Sequence, residues 1–209
     1  MFKDRKDAGV QLAERLAQYR AGDAVVLALP RGGVVTGYEV ARALKLPLDI
    51  VVVRKVGHPF SPEYAICATD EKGTLLCNER EAASVDQAWL EAEIERQKQE
   101  ALRRIAAYRG KREPEPLAGK TAIIVDDGVA TGLTMRLAIA AVKVQNPARV
   151  VVAVPVASAE AVRDIMQAAD QLVLFESPEN FLSAVGAHYE EFEQIEDDEV
   201  IRLLKESAR

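Results

Sequence analysis

Short apolar runs rich in β-branched residues alternate along this chain with segments of helical periodicity. The apolar runs predict strands at residues 24–29, 48–55, 121–127, 149–156 and 171–175. The periodic segments predict helices at residues 4–20, 34–46, 84–108, 133–144 and 159–169. Strand 48–55 is apolar on both faces, as strands in a parallel sheet covered by helices tend to be. The sequence therefore predicts an α/β fold with a doubly wound, mainly parallel sheet flanked by helices.

Composition limits the class of protein. With 209 residues, 49% of them hydrophobic, the chain can bury a sizeable core, and we expect one domain over residues 1–209. No run approaches the ~20 apolar residues of a membrane-spanning helix, and five of the first ten residues are charged, so we expect a cytoplasmic protein without a membrane partner. The net charge of −6 argues against nucleic acid as a partner. Cys67 and Cys77 have no metal-ligand spacing and are expected to be reduced thiols.

The long helix predicted at 84–108 has two further features. Ser84 and Gln87 predict a capping box at its start. A stripe at helical spacing predicts a packing face or a dimer face; its members are Leu90, Ile94, Gln97, Ala101, Ile105 and Tyr108.

Three polar segments follow predicted strands and should meet at one edge of the sheet. They are residues 29–34 (LPRGGV), 53–65 (VRKVGHPFSPEYA) and 125–134 (VDDGVATGLT). In a parallel sheet, loops at the carboxyl ends of the strands open on the same crevice, where ligands bind. We therefore expect the three segments to surround one ligand. Residues 56–78, with their prolines and turn-forming residues, predict a mobile loop or an irregular hairpin.

Residues 126–134 carry the strongest chemical signal. Small residues lead directly into a helix, so backbone amides and the positive helix end should face an anion, with hydroxyl groups of Thr131 and Thr134 as further donors. Asp126 and Asp127 beside this cradle suit ligand hydroxyl groups or a divalent cation next to a phosphate. In residues 30–33, Gly32 and Gly33 let peptide N–H groups turn inward.

The segment IIVDDGVATGLTM resembles the phosphoribosyl pyrophosphate signature of type I phosphoribosyltransferases, and the match has no gap. The resemblance implies that Asp126 and Asp127 hold the ribose hydroxyl groups, directly or through Mg²⁺. It implies that the following loop holds the 5′-phosphate through Gly128, Val129, Ala130, Thr131, Gly132 and Thr134. The chain is also similar to predicted phosphoribosyltransferases that share its VRK-G-P-PE-A pattern.

The other two polar segments acquire roles from the same resemblance. LPRGG is similar to the pyrophosphate loop, with Arg31, Gly32 and Gly33 on the pyrophosphate and a cis peptide at Arg31–Gly32. Residues 53–65 resemble a catalytic loop that places Arg54 and Lys55 on pyrophosphate. Arg31, Lys55 and Glu63 are the expected catalytic residues, since departing pyrophosphate gathers negative charge and the acceptor must lose a proton.

Base recognition in this family comes from a hood outside the core. With a core at about 22–175, the hood is expected from residues 176–209, the N-terminal helix, or both. Phe181 or Tyr189 would stack on a flat base, unless these aromatic rings only close the core. Ala130 stands where enzymes acting on 6-oxopurines usually have aspartate, whereas Glu63-Tyr64 is similar to a pair in adenine enzymes. A purine-like base is therefore favoured.

The resemblance implies an Mg²⁺-dependent transferase of nucleotide salvage. It would move ribose 5-phosphate from phosphoribosyl pyrophosphate to a nitrogenous base, release pyrophosphate, and act as a homodimer as is common in the family. Two alternatives stay open. One is a regulatory protein that senses phosphoribosyl pyrophosphate or a nucleotide without catalysis, and the other is a phosphorylated-sugar hydrolase.

Overall fold

The main sheet of the computed structural model, which describes residues 1–207, is parallel throughout. Its strands are β1 (Ala24–Ala28), β2 (Leu48–Ile50), β6 (Thr121–Val125), β7 (Arg149–Val154) and β8 (Gln171–Leu174). Their order across the sheet is β2-β1-β6-β7-β8, so the chain builds outward from β1 in one direction and then outward from β6 in the other. The predicted doubly wound α/β architecture is confirmed.

Helices cover both faces of this sheet. The helices of the chain are α1 (Arg5–Arg15), α2 (Gly32–Leu44), α3 (Glu79–Ala83), α4 (Gln87–Arg109), α5 (Leu133–Lys143), α6 (Ala159–Ala168) and α7 (Asp197–Ser207). Of these, α3 packs against α4 and a second sheet. Alternate residues of β1 point to opposite cores: Val26 packs with residues of α1, α2 and α7, whereas Val25 packs with residues of α5 and α6. Within residues 1–207, no helix is long and apolar enough to cross a membrane.

A second, antiparallel sheet departs from the sequence expectation. Its strands are β3 (Val53–His58), β4 (Ser61–Asp70) and β5 (Leu75–Cys77). The single strand predicted at 48–55 is wrong: β2 pairs with β1, the chain leaves the sheet at Val51, and β3 pairs with β4 instead. The irregular hairpin is confirmed, since the β3–β4 register shifts on both sides of Gly57.

The cysteines lie in this second sheet. Cys67 and Cys77 are directly opposite each other on β4 and β5, with Cα atoms 4.0 Å apart, and form a disulfide. The expectation of reduced thiols is therefore wrong in this structure. A sequence separation of 10 gave no sign of the pairing, because the reversal between β4 and β5 brings the two residues together.

The start of α4 differs from the prediction, but its buried stripe does not. Asp86 caps the helix by accepting a hydrogen bond from the Trp89 N–H at 2.8 Å, whereas Ser84 ends the separate helix α3. The predicted capping box is therefore wrong. Leu90, Gln97, Ala101 and Tyr108 of the stripe are buried, which supports the packing alternative.

Candidate active site

The loops that follow β1 and β6 touch each other at the carboxyl edge of the sheet. The Leu29 N–H donates to the Val125 carbonyl at 3.0 Å, which places the two exits side by side. A Cβ atom on Gly32 would lie 1.9 Å from Asp127 Oδ2, and one on Gly33 would lie 2.8 Å from Asp126 Oδ1. Only residues without a side chain allow this approach, so the two glycines bring the 30–33 backbone against the acidic pair.

The loop after β6 presents backbone donors. Gly132 has φ +79° and precedes α5 without a side-chain cap. In the part of the chain that the structure describes, the amides of Thr131, Gly132, Leu133 and Thr134 form no hydrogen bond with a protein acceptor. Open amides at a helix start form an anion cradle together with the helix dipole.

Neighbouring segments hold this loop in place. Val129 forms a parallel bridge with Ala157, in which its N–H donates to the Val156 carbonyl at 3.0 Å. The Ser158 hydroxyl donates to the Ala130 carbonyl at 2.6 Å. A Cβ atom on Gly128 would lie 2.5 Å from Val185 Cγ1, so the loop also packs closely against residues after β8. Ala130 and Thr131 stay exposed, so the cradle opens toward solvent.

The two carboxylates of the acidic pair have different surroundings. The Asp127 N–H donates to Asp126 Oδ1 at 2.9 Å. Burial and the neighbouring Asp127 carboxylate raise the pKa of the Asp126 carboxyl group well above its ordinary value. Asp127 instead forms an ion pair with Arg5, at 2.6 Å from Nε to Oδ2. The protein therefore compensates the charge of Asp127 with Arg5, whereas the surroundings of Asp126 disfavour its ionised form.

Sequence reasoning missed Arg5. Its side chain is 9% exposed, its Nη1 donates to the Glu193 carbonyl at 2.8 Å, and its guanidinium lies 3.7 Å over the ring of Phe192. The sequence predicts a role for the N-terminal helix only in the hood. Arg5 and Asp127 are 122 positions apart, and the surrounding KDRKD contains no motif that would single out one arginine.

The segment at 30–33 differs in one detail from the expectation. The cis peptide joins Pro30 to Arg31, not Arg31 to Gly32. Arg31 Nη1 lies 3.3 Å from Glu196 and 3.7 Å from Asp197, so residues before and at the start of α7 hold the side chain. Helix α2 begins directly at Gly32 without a side-chain cap.

The family model described as a phosphoribosyl transferase domain matches residues 4–191. The chain belongs to the phosphoribosyltransferase family. Two proteins of Mycobacterium tuberculosis (strains CDC 1551/Oshkosh and ATCC 25618/H37Rv), both provisionally named phosphoribosyl transferases, are 42% identical to it over 211 residues. The alignments cover 100% of this chain and 47% of each relative, so the chain spans about half the length of these curated relatives.

A solved structure matches over the whole length. The crystal structure of TT1426 from Thermus thermophilus superposes with a TM-score of 0.82 and 45% sequence identity, and the match covers 98% of both chains. This phosphoribosyltransferase-family chain therefore shares its overall fold with a solved relative.

The residues expected on the family's catalytic loop lie on the second sheet. Arg54 Nε donates to Gln97 of α4 at 3.0 Å, and burial, with a contribution from Arg104, lowers the pKa of its guanidinium. Arg54 and Lys55 line a cavity of about 300 Å³ together with Trp89 of α4. The side chain of Glu63 lies outside the part of the chain that the structure describes. The side-chain hydrogen bond of Arg54 is thus to α4 and not to the loops after β1 and β6.

The aromatic residues expected in the hood have packing roles here. Tyr189 is 6% exposed, its ring contacts Phe2 and Phe192, and its hydroxyl donates to the Asp127 carbonyl at 2.5 Å. Phe181 is half-buried and stacks on His188, with ring centroids 5.3 Å apart. Tyr189 therefore closes the core, which is the second of the two roles expected for these rings, and its ring is not open to a base in this structure.

Another aromatic residue faces the open space beside the 30–33 loop. A cavity of about 360 Å³ is lined there by Arg5, Arg31, Gly32, Phe192, Glu193, Gln194 and Ile195. The hood segment that lines this cavity is therefore 192–195, which lies within the expected hood range 176–209 and follows Tyr189 closely.

The carboxylates of Asp126 and Asp127 are too few to hold Mg²⁺ by themselves, but they could hold it when a substrate supplies further oxygen ligands. Among the described side chains, which do not include that of Glu63, no group of three or more His, Cys, Asp or Glu residues is placed to hold a metal ion. Mg²⁺ in phosphate-binding sites is commonly held by one or two carboxylates plus substrate phosphates and water. Asp126 and Asp127 match that pattern, and Arg5 already holds one oxygen of the pair.

Proposed function

We propose that this chain transfers ribose 5-phosphate from phosphoribosyl pyrophosphate to a nitrogenous base and releases pyrophosphate. The observation that carries the proposal is the contact between the 30–33 loop and Asp126-Asp127, beside the open amides of residues 131–134. This arrangement offers acceptors for ribose hydroxyl groups and donors for phosphate oxygens on one crevice.

Each part of the donor substrate then has a partner in the chain. Asp126 and Asp127 accept hydrogen bonds from the 2′- and 3′-hydroxyl groups, and the amides of residues 131–134 with the hydroxyl groups of Thr131 and Thr134 bind the 5′-phosphate. The Val129 amide takes no part, because it donates to the Val156 carbonyl. The backbone of Gly32 and Gly33 binds pyrophosphate. When Mg²⁺ is bound with the substrate, it supplies positive charge to the phosphate oxygens, and the acidic pair would hold it.

The chemical step depends on charge placement. Cleavage at C1′ leaves positive charge on the ribose and negative charge on pyrophosphate, so cations near the leaving group stabilise the transition state. Arg31 lies on the 30–33 loop and supplies one such cation. Lys55 supplies a second, and Glu63 takes the acceptor's proton, when the β3–β4 hairpin closes over the substrate and excludes water.

The acceptor in this proposal is a purine-like base. Ala130 provides no acid or base group at its position, and residues 151–157 contain no lysine to donate to a 6-oxo group. These features argue against hypoxanthine and guanine. The 360 Å³ cavity beside Gly32 would receive the base, with the ring of Phe192 and the backbone of residues 193–195 as its walls.

One observation favours a second candidate, a non-catalytic sensor of phosphoribosyl pyrophosphate. Arg31 is paired with Glu196 and Asp197, and Arg54 with Gln97, so two of the cations expected on pyrophosphate contact protein partners instead. A sensor needs the acidic pair and the amide cradle but no moving hairpin.

Turnover with a panel of acceptors separates the two candidates. The protein is incubated with phosphoribosyl pyrophosphate, Mg²⁺ and purines, pyrimidines or related heterocycles, while pyrophosphate release is recorded. Release that depends on one base supports the transferase; stabilisation by phosphoribosyl pyrophosphate without release supports the sensor. Base-independent release of pyrophosphate would indicate a hydrolase.

A matched pair of variants tests the site itself. The double variant Asp126→Asn/Asp127→Asn should lose the rise in melting temperature that Mg²⁺ and phosphoribosyl pyrophosphate give. Glu79→Gln/Glu91→Gln neutralises two exposed carboxylates on α3 and α4 and should keep it. An unchanged melting shift in the first variant contradicts the site assignment.

A further inference from the structure

Arg5 lies outside the family signature but contacts its acidic pair. We propose that Arg5 is a positioning residue of the ribose site, which orients the Asp127 carboxylate and couples it to the hood segment 192–195. The inference rests on the proposed function, because it assigns a new residue to the same site. Arg5 itself contacts no substrate in this proposal.

The first argument is that Arg5 is held on three sides. Its Nε donates to Asp127, its Nη1 donates to the Glu193 carbonyl, and the face of its guanidinium lies on Phe192. A planar group with two directed hydrogen bonds and one stacked face has little rotational freedom. Asp127, whose side chain is 15% exposed, is therefore paired with a rigid donor instead of a mobile surface cation.

The second argument is that the ion pair lies at the junction of the two ligand loops. The position of a Cβ atom on Gly32 would be 2.8 Å from Arg5 Nε and 1.9 Å from Asp127 Oδ2. The backbone proposed to bind pyrophosphate thus packs directly on the Arg5–Asp127 pair. A displaced carboxylate would change the space available to both the ribose and the pyrophosphate.

The third argument is that other contacts fix the Asp127 backbone but not its carboxylate. The Asp127 N–H donates to Asp126, and its carbonyl accepts from Tyr189. Among the side chains that the structure describes, Arg5 is the only cation paired with the Asp127 carboxylate, whose other neighbour is the Asp126 carboxyl group. Loss of Arg5 would leave a half-buried carboxylate next to Asp126, free to rotate and repelled by its neighbour.

Arg15 provides a matched control on the same helix. Its guanidinium also lies over an aromatic ring, 4.8 Å from the centroid of Phe175, but it has no recorded contact with the acidic pair. Arg15→Gln therefore removes an arginine and a cation–π contact from α1 without changing the environment of Asp127. Arg5→Gln likewise removes an arginine and a cation–π contact from α1, and in addition it removes the ion pair with Asp127.

The test is calorimetric titration of each variant with phosphoribosyl pyrophosphate and Mg²⁺, at a temperature well below every melting temperature. We expect binding by Arg5→Gln to weaken at least about tenfold, the scale of a lost charged hydrogen bond. Arg5→Lys, which keeps the charge but not the fork, should recover part of the affinity. Arg15→Gln should bind as the wild type does. Where turnover is found, the KM for phosphoribosyl pyrophosphate should rise more than kcat falls.

The outcomes are distinct. Wild-type affinity in Arg5→Gln, even with a lower melting temperature, overturns the inference and leaves Arg5 a purely structural residue. Tighter binding also overturns it, since Arg5 would then obstruct the site. If Arg5→Gln does not fold, wild-type affinity in Arg5→Lys overturns the inference instead. Absence of binding by the wild type overturns the proposed function itself, and the ribose role of Arg5 with it.

Discussion

The hydroxyl of Tyr189 donates a 2.5 Å hydrogen bond to the backbone carbonyl of Asp127, across 62 positions of sequence. Burial raises the pKa of this phenol, so it stays a donor at neutral pH. The hood residue therefore supports the backbone of the acidic pair, while its ring packs between Phe2 and Phe192.

Tyr189→Phe keeps the ring and removes only this hydrogen bond. We expect the free energy of unfolding to fall by about 1 kcal/mol, because the Asp127 carbonyl loses its donor. Tyr38→Phe is the control, since its hydroxyl makes a 3.4 Å contact with Glu206 at the surface and its loss should cost less than about 0.5 kcal/mol. Urea unfolding of both variants measures the difference, and equal losses would contradict the role given to Tyr189.

Gly32→Ala tests the contact between the two ligand loops. The new methyl group would lie 1.9 Å from Asp127 Oδ2, so the 30–33 loop or the carboxylate must move. We expect the melting shift produced by Mg²⁺ and phosphoribosyl pyrophosphate to be lost. Gly22→Ala, whose Cβ would lie 3.2 Å from the Tyr19 carbonyl and away from the site, should keep the shift. A preserved shift in Gly32→Ala would show that the loop tolerates a side chain there.

Asp49 is a buried residue of the edge strand β2 and links this strand to residues 109–115. It is 2% exposed, lies 3.2 Å from Arg109 Nε and 3.1 Å from Arg112 Nη2, and accepts the Glu115 N–H at 2.9 Å. Asp49→Asn leaves two arginines without their carboxylate, so we expect a loss of about 3–5 kcal/mol in unfolding free energy. Glu199→Gln is the control, because it breaks the ion pair with Arg202 at the surface, where the Glu199 side chain is 32% exposed. This loss should lower the unfolding free energy by less than about 1 kcal/mol. Denaturant unfolding distinguishes the two, and similar losses would refute the structural role of Asp49.

Glu100 predicts a measurable dependence of stability on pH. Hydrogen bonds from Arg103 and Arg104 lower its pKa from 4.5 to about 2. The folded state thus favours the ionised form, and the resulting stability is complete above about pH 4.5 and is lost as pH falls toward about 2. Because the side chain is 30% exposed, solvent screening limits this contribution to about 1 kcal/mol.

The measurement compares wild type with Glu100→Gln at several pH values between 7 and about 3, a window set by this pKa shift. The difference in unfolding free energy should be largest at pH 7 and shrink as the acid limit is approached. Glu95→Gln is the control, because its carboxylate is 3.8 Å from Lys98 on an exposed part of the same helix. A difference that stays constant with pH would argue against the Glu100 assignment.

Local patterns predicted most of the elements that position the site. The predicted helices at 133–144 and 159–169 match α5 and α6 to within one residue at each end, because caps, periodicity and apolar runs act over a few neighbouring positions. The prediction failed where pairing partners decide the structure. Strand 48–55 divides between two sheets, and Cys67 meets Cys77, for reasons of pairing that the local sequence does not contain.

The candidate site divides in the same way. The order of residues in IIVDDGVATGLTM, by itself, determined an acidic pair followed by a small-residue loop and a helix start, since those features depend on consecutive residues. Only the tertiary structure decided that Arg5 compensates Asp127, that Tyr189 holds its carbonyl, and that Phe192 lines the neighbouring cavity. These contacts join the two ends of the chain to its middle, and their free energy depends on burial and distance in space, which residue order does not specify.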